Sequence, residues 1–343
     1  MHPADKAVLR LAIGMGLAVL IAYGFGLPAP FVCCMMTVLM LCKPGPPLPF
    51  VKGVVVALIV GGLLAAGVLM VPILENYAVT GVLLTGVLLY GVYFAGARSG
   101  SPLTIILVIA FAAIPVAGVA EQALSSQLCV AMVVGLGIGT LVSGMAHSLF
   151  PDAPPVSTAP ASVPVPVSME SARWTALQAT LVVMPVFVLA LTNPALYLPA
   201  IMKTGALGQQ AGSTDAGSAG RELVGSTMMA AGMALAVWLG LSMWPTLWML
   251  MLWMVAAAFW AGRRLFGVKA TTSPPSFWGN ALVTMLILLG PAIEDAAVGK
   301  DVVSASVTRV ALFLAAAVYA WATVWALQRW REFQSRQLSR GRT

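Results

Sequence analysis

Apolar residues run along this chain in long blocks separated by short polar punctuation. Residues 11–41, 53–74, 76–97, 99–120 and 174–202 contain no Asp, Glu, Lys or Arg. Each block is long enough to cross a bilayer, which takes about 20 residues of helix at ~1.5 Å per residue. The blocks are continuously apolar rather than alternating, and backbone in lipid must satisfy its hydrogen bonds within the segment. The pattern therefore predicts helices and excludes barrel strands. Gly, Pro and charge divide the chain into about twelve spans, near 8–27, 29–42, 53–71, 77–96, 102–120, 127–149, 173–192, 194–207, 222–242, 244–262, 277–291 and 303–327. Residues 23–30 offer no small-residue cleavage site, so the first block reads as a retained span.

Composition closes off the soluble alternatives. Charged residues are 8% and hydrophobic residues 60% of the 343 positions, against about a quarter charged in a soluble protein. The partner such a chain needs is the lipid bilayer. The 18 Lys and Arg then set its orientation. With the N-terminus in the cytoplasm, that side receives Lys6, Arg10, Lys43, Lys52, Arg98, Arg173, Lys203, Arg221, Arg263, Arg264, Lys269 and the five arginines of the tail. Only Lys300 falls clearly outside, and Arg309 lies just inside the last span. This strong positive-inside bias places both termini in the cytoplasm and accounts for the net charge of +7 without nucleic acid as a partner.

The two halves of the chain match. Arg10-Leu-Ala-Ile-Gly opens a span as Arg173-Trp-Thr-Ala-Leu does, and the block from Lys52-Gly-Val resembles the one from Arg221-Glu-Leu. Phe94-Ala-Gly-Ala-Arg98 resembles Phe259-Trp-Ala-Gly-Arg263, and Ile114-Pro115 resembles Gly290-Pro291. The offsets, from 163 (Arg10 to Arg173) to 176 (Pro115 to Pro291), keep chain order. The expected fold is all-α, a polytopic membrane protein of about twelve transmembrane helices in two six-helix repeats. An even number of spans per unit makes the repeats parallel, with the substrate path near their pseudo-twofold axis. The units are 1–150, a Pro-rich cytoplasmic linker at 151–170, a second repeat at 171–330 and a basic tail at 331–343. Residues 209–220, rich in Gly and Ser, read as a mobile loop.

The chain carries no phosphate-binding loop, nucleophile elbow or paired metal-ligand motif, so no catalytic residue, metal or cofactor is assigned and an enzyme is not expected. His2 and His147 are isolated, and Cys33, Cys34, Cys42 and Cys129 lie in or beside apolar spans where packing is their role. Gly96 with Gly100 and Gly135 with Gly139 have the small-residue spacing that lets helices approach. The second span of each half is short and flanked by proline, from Pro28 and Pro30 to Pro44 and from Pro194 and Pro199 to Lys203, a pointer to a transport site or to a re-entrant packing element. Lys52, Arg98, Arg221 and Arg263 are either anion-attracting groups or ordinary interfacial anchors. Arg309 lies within a span and is a candidate for the anion or for pairing with Glu121 or Asp301. Glu121 and Glu294 are the candidates for proton coupling.

Three features together, the Gly-rich stretch from Arg10 to Pro30, the Lys43-Pro-Gly-Pro-Pro to Lys52-Gly turn and the Phe94-Ala-Gly-Ala-Arg98 corner, appear within a duplicated six-span unit. In these features the chain resembles the fusaric acid resistance and aromatic acid exporter superfamily, in particular its compact members. The resemblance implies a bacterial inner-membrane exporter of aromatic carboxylic acids or related toxic compounds, with a periplasmic adaptor (membrane fusion protein) and an outer-membrane channel as partners. The chain departs from the larger members in having no soluble domain between its halves. Alongside an exporter driven by the proton gradient, a homo-oligomer among its forms, stand a passive anion channel and a non-transporting scaffold subunit.

Overall fold

The computed structural model describes residues 2–42, 47–100, 103–151, 168–213, 216–299 and 301–340, among which there are thirteen helices and no strand. They are α1 (Pro3–Gly24), α2 (Pro30–Leu41), α3 (Phe50–Val68), α4 (Met70–Asn76), α5 (Ala78–Ser99), α6 (Leu103–Ala120), α7 (Gln122–Leu149), α8 (Met169–Thr192), α9 (Pro194–Ser213), α10 (Ala216–Met243), α11 (Leu247–Leu265), α12 (Pro275–Ala297) and α13 (Val302–Arg340). The break between α3 and α4 has a local cause. Pro72 has no N–H to give the Val68 carbonyl and its ring crowds the preceding turn. The two pieces still run as one apolar segment, Phe50–Asn76.

Local chemistry sets the other ends. Pro3 opens α1 with the His2 ring accepting from the Ala4 N–H at 3.4 Å, Ser168 Oγ accepts from Ser171 N–H at 3.2 Å at the start of α8, and Thr246 Oγ1 accepts from Met249 N–H at 3.3 Å at the start of α11. Gly100, at φ +61°, ends α5 in the left-handed region that only glycine enters without strain. Asp301 caps α13 by accepting from the Val303 and Ser304 N–H groups at 3.1 and 3.5 Å.

The Ser304 hydroxyl and these amides hold the Asp301 carboxyl below its usual range. Because the folded form favours the charged carboxylate, the cap contributes fully above about pH 4 and fades as the pH falls below that. Asp301→Asn is expected to keep the cap and Asp301→Ala to lose it, read as faster hydrogen exchange at Val303 and Ser304.

Among the described residues, eight helical segments are long and apolar enough to cross a membrane: Pro3–Gly24, Phe50–Asn76, Ala78–Ser99, Gln122–Leu149, Met169–Thr192, Glu222–Met243, Pro275–Ala297 and Val302–Arg331. The protein is thus an all-helical, multi-pass membrane protein. The α2 helix, at 12 residues, is short as expected, but α9 is not: it runs for 20 residues with Pro199 inside it. The segment read as a mobile loop is helical at 209–213 and 216–220, where α9 ends and α10 begins. The basic tail continues α13 as far as Arg340, whereas the linker residues 152–167, the Lys43 turn and Lys300 lie outside the described residues.

Packing in the bundle follows its small residues. A Cβ added at Gly135 of α7 would stand 3.0 Å from Cys33 Cα of α2, and one at Gly139 would stand 3.3 Å from the Thr37 N. The α2 and α7 backbones therefore touch, which is the role expected of that glycine pair. All four cysteines are free, with Cys33 and Cys34 buried in this contact region. Across the chain, α1 packs on α11 and α2 on α12, while α8 packs on α5 and α9 on α6. The Lys6 ammonium donates to the Pro151 carbonyl at 2.8 Å and joins the start of α1 to the end of α7.

Candidate functional site

Three polar residues of α12, Ser276, Asn280 and Thr284, recur every four positions and so share one helix face. On α10, Glu222 and Ser226 do the same. The two stripes face each other across the α10–α12 contact and meet Lys203 of α9. Ser276 Oγ donates to Glu222 Oε1 in a very short contact. Asn280 Nδ2 donates to Ser226 Oγ at 2.8 Å, which turns Asn280 Oδ1 toward Lys203. The Lys203 ammonium donates to Asn280 Oδ1 at 3.3 Å and to Thr284 Oγ1 at 2.5 Å. Thr284 in turn uses its own hydroxyl hydrogen on the Asn280 carbonyl at 2.7 Å.

Burial deepens along this stripe: Ser276 is exposed, Asn280 half-buried, and Thr284 and Lys203 are 0% exposed. Beyond Thr284 the same α12 face carries Leu288 and Ala292, and beyond Ser226 the α10 face carries Ala230 and Ala234, all buried. The polar lane therefore runs from the Glu222–Ser276 end to Lys203 and stops there. At the same end of the bundle, where α11 ends and α12 begins, Arg264 stacks on Trp260 (3.8 Å to the ring centre) and Trp278 (5.1 Å), the latter on the α12 face turned away from the polar stripe.

A buried ammonium is costly unless opposite charge or hydrogen bonds compensate it. Among the described residues no carboxylate bonds to Lys203. Its partners are neutral acceptors, and two of its three N–H donors are used. Helix α9 holds the lysine in place from its other side, since Tyr93 of α5 donates its hydroxyl to the Gly205 carbonyl at 3.1 Å.

The residues singled out from the sequence lie elsewhere. Lys52 and Arg98 are exposed at the start of α3 and the end of α5. Arg221 directly precedes Glu222 in α10, and its side chain is outside the described set. Arg263 is exposed at the end of α11, with its guanidinium 5.9 Å from the Phe259 ring centre. Glu121 is exposed at the α6–α7 junction, and Glu294 is exposed near the end of α12. Arg309 forms an ion pair with Asp295, with side chains 15% and 14% exposed, in place of the expected Glu121 or Asp301. Its Nη1 is buried and has no partner among the described residues. Asp295→Asn is expected to lower stability by about 2 kcal/mol, below the ~3–5 kcal/mol of a fully buried pair because water reaches both groups. A drop in thermal midpoint checks it.

Lys203 reads from the sequence only as one of the cytoplasmic charges that set orientation, at the end of the short proline-flanked span. Two signals could have found it: its place after Pro194 and Pro199, and the four-residue spacing of Ser276, Asn280 and Thr284. A separate cavity of about 410 Å³ lies between α5, α8 and α13, lined by Tyr90, Glu170, Arg173, Trp174, Leu177 and Arg331. It is a surface feature, with Arg331 and Glu170 4.0 Å apart and their side chains 54% and 90% exposed, whereas the Lys203 network is enclosed. No protein-family model, curated protein or solved structure matches this chain.

Proposed function

We propose that this protein is a bacterial inner-membrane transporter that exports organic anions, aromatic carboxylic acids in particular, through a site centred on Lys203. The observation that carries the reading is a fully buried lysine whose partners are all neutral and which, as an ammonium, keeps a third N–H with no acceptor among the described residues. A carboxylate supplies what is missing, both an opposite charge and an oxygen acceptor. The lane of Glu222, Ser276, Ser226 and Asn280 gives such an ion a polar approach, from the end of the bundle that the charge bias assigns to the cytoplasm.

Counting α3 with α4, the twelve helical segments divide into two sets of six, and we take these as parallel repeats. Supporting this is the reciprocal packing in which the first and second segments of each set lie on the fourth and fifth of the other. Rocking of one set against the other would then expose Lys203 alternately to the two sides. A proton-motive force offers two sources of drive, the proton gradient and the inside-negative potential. An adaptor and an outer-membrane channel are the expected partners downstream.

The test uses the purified full chain in proteoliposomes with benzoate as the probe. Protein-dependent flux should saturate with benzoate concentration and be accelerated by benzoate on the opposite side, as a carrier requires. Flux that never saturates and shows no such acceleration would identify a channel. Absence of any protein-dependent benzoate flux would defeat the reading.

A further inference from the structure

We propose that the cavity between α5, α8 and α13 is a binding site for one anionic phospholipid, its phosphate held by Arg173 and Arg331 and its acyl chain lying along Leu177 and Tyr90. The cavity is separate from the Lys203 network, so the two sites stand or fall independently.

Charge comes first. Two guanidinium groups and one carboxylate, Glu170, line the cavity, which leaves it one positive charge in excess. Arg173 is exposed, and among the described residues it makes no hydrogen bond or ion pair. Arg331 meets Glu170 only at 4.0 Å, with side chains so exposed that water screens the pair to little value. Its guanidinium also lies 5.7 Å from the Trp174 ring centre, which keeps it on the cavity wall. A phosphodiester brings the missing negative charge and two free oxygens, one for each guanidinium.

Depth in the bilayer comes second. Arg173 stands near the start of the membrane-crossing α8, and Arg331 closes the crossing stretch of α13, Val302–Arg331. Each adjoins a tryptophan, Trp174 and the exposed Trp330, the residue type that gathers at the headgroup level. Leu177 lies one turn further along α8, about 6 Å deeper. Tyr90, stacked on Phe94, is eight residues before Arg98 in α5, about 12 Å below that end of the helix. The cavity is thus cationic at the membrane surface and apolar toward the membrane interior, the same order as the parts of a phospholipid.

These two observations together select the occupant. A soluble phosphate would use the arginine end alone and leave Leu177 and Tyr90 without a role, whereas a lipid engages both. Arginines at a membrane surface ordinarily reach out singly to whatever headgroups pass. Here two of them, from different helices, converge on one recess of about 410 Å³. A basic pocket between helices at the cytoplasmic surface, the side to which the charge bias assigns this end, is the form that retains an anionic headgroup. The Tyr319 hydroxyl donates to the Leu181 carbonyl at 3.0 Å and ties α13 to α8, so the two arginine-bearing walls are joined. Because α5 belongs to the first half of the chain and α8 and α13 to the second, a single bound lipid touches both halves.

Titration of the purified full chain in detergent with phosphatidylglycerol, the bound copies counted by native mass spectrometry, tests this. The first lipid should bind saturably. Arg173→Gln and Arg331→Gln should each weaken it about fivefold, and the two together about 25-fold, the worth of an arginine at an anionic surface. Arg98→Gln, which removes an exposed arginine at the end of α5 outside the cavity, should leave it unchanged. Phosphatidylcholine with the same acyl chains should bind several-fold more weakly, and millimolar inorganic phosphate should not displace the lipid. An equal loss on Arg98→Gln, or phosphatidylcholine bound as tightly as phosphatidylglycerol, would overturn the proposal. Displacement by inorganic phosphate would overturn it as well, making the cavity a site for a soluble anion. The comparisons between lipids and with phosphate use the unaltered protein, so they decide the matter even where a variant fails to fold.

Discussion

Lys203→Met is expected to cut organic-anion flux steeply while leaving the fold intact. Methionine keeps the length and most of the volume of the lysine stem and removes the charge, so the enclosed site between α9, α10 and α12 stays filled. Replacing a buried charge with a packed apolar group is commonly neutral or stabilising. Here the offsetting cost is small, because Thr284 Oγ1 keeps its bond to the Asn280 carbonyl and only half-buried Asn280 Oδ1 loses a donor. The thermal midpoint should therefore move by no more than a few degrees. Flux should fall about a hundredfold, the loss of a charge-assisted contact of ~2–3 kcal/mol to the bound anion. The pairing of unchanged stability with lost flux is what separates a binding role from a structural one. Thr284→Val, which keeps the shape and removes one acceptor, should retain flux at a several-fold lower level. Wild-type benzoate flux in a folded Lys203→Met protein would remove Lys203 from the site.

What the sequence could and could not reveal follows from how far each feature depends on local pattern. The helical spans were legible because continuous apolarity over 20 or so residues has few physical outcomes in lipid. The short α2 and the Gly135 and Gly139 contact were legible for the same reason, since proline and glycine act within a turn or two of where they stand. The end of α9 was not. Gly205, Gly208 and the Gly- and Ser-rich residues beyond them have loop composition, yet α9 continues to Ser213 and is packed on α8, α6, α13 and α12. With the helix taken to end near residue 207, Lys203 fell by position at the membrane surface. Its burial depends on Thr284 and Asn280, 81 and 77 residues further on. Linear hydropathy carries no trace of such partners. Arg309 shows the same limit in milder form. Its place within a span marked it as needing a partner, but the choice of Asp295 over Glu121 or Asp301 is made by the α12–α13 hairpin.

The largest effect on stability is expected from Gly67→Ala, and the neighbouring Gly62→Ala gives its control. Gly62 lies in the interior of α3, where alanine is the better helix former by ~1 kcal/mol, and Gly67 lies in its last turn, where that gain is smaller. They differ in what a methyl group would meet. At Gly62 nothing stands within 4 Å, so the substitution should stabilise by about 0.5–1 kcal/mol. At Gly67 the added Cβ would fall 2.0 Å from the Ala110 carbonyl oxygen and 3.0 Å from its carbon. The obstacle is backbone, inside α6, and cannot rotate away as a side-chain tip would. Helices α3 and α6 must separate, and the separation is felt at once by fully buried Ile114, whose Cβ lies 3.4 Å from the same point. In a bilayer no hydrophobic force restores such a contact, because lipid solvates the parted faces as well as the protein does, and close van der Waals approach is what joins the helices. Overpacking of this kind costs roughly 1–3 kcal/mol and more where backbone must move, so a net loss of about 2–3 kcal/mol remains after the helix-propensity gain. The temperature at which half the detergent-solubilised protein stays monodisperse should fall for Gly67→Ala and hold or rise for Gly62→Ala. Equal behaviour of the two variants would mean that α3 and α6 do not meet at Gly67, and with it would go the packing that sets the bundle around α9.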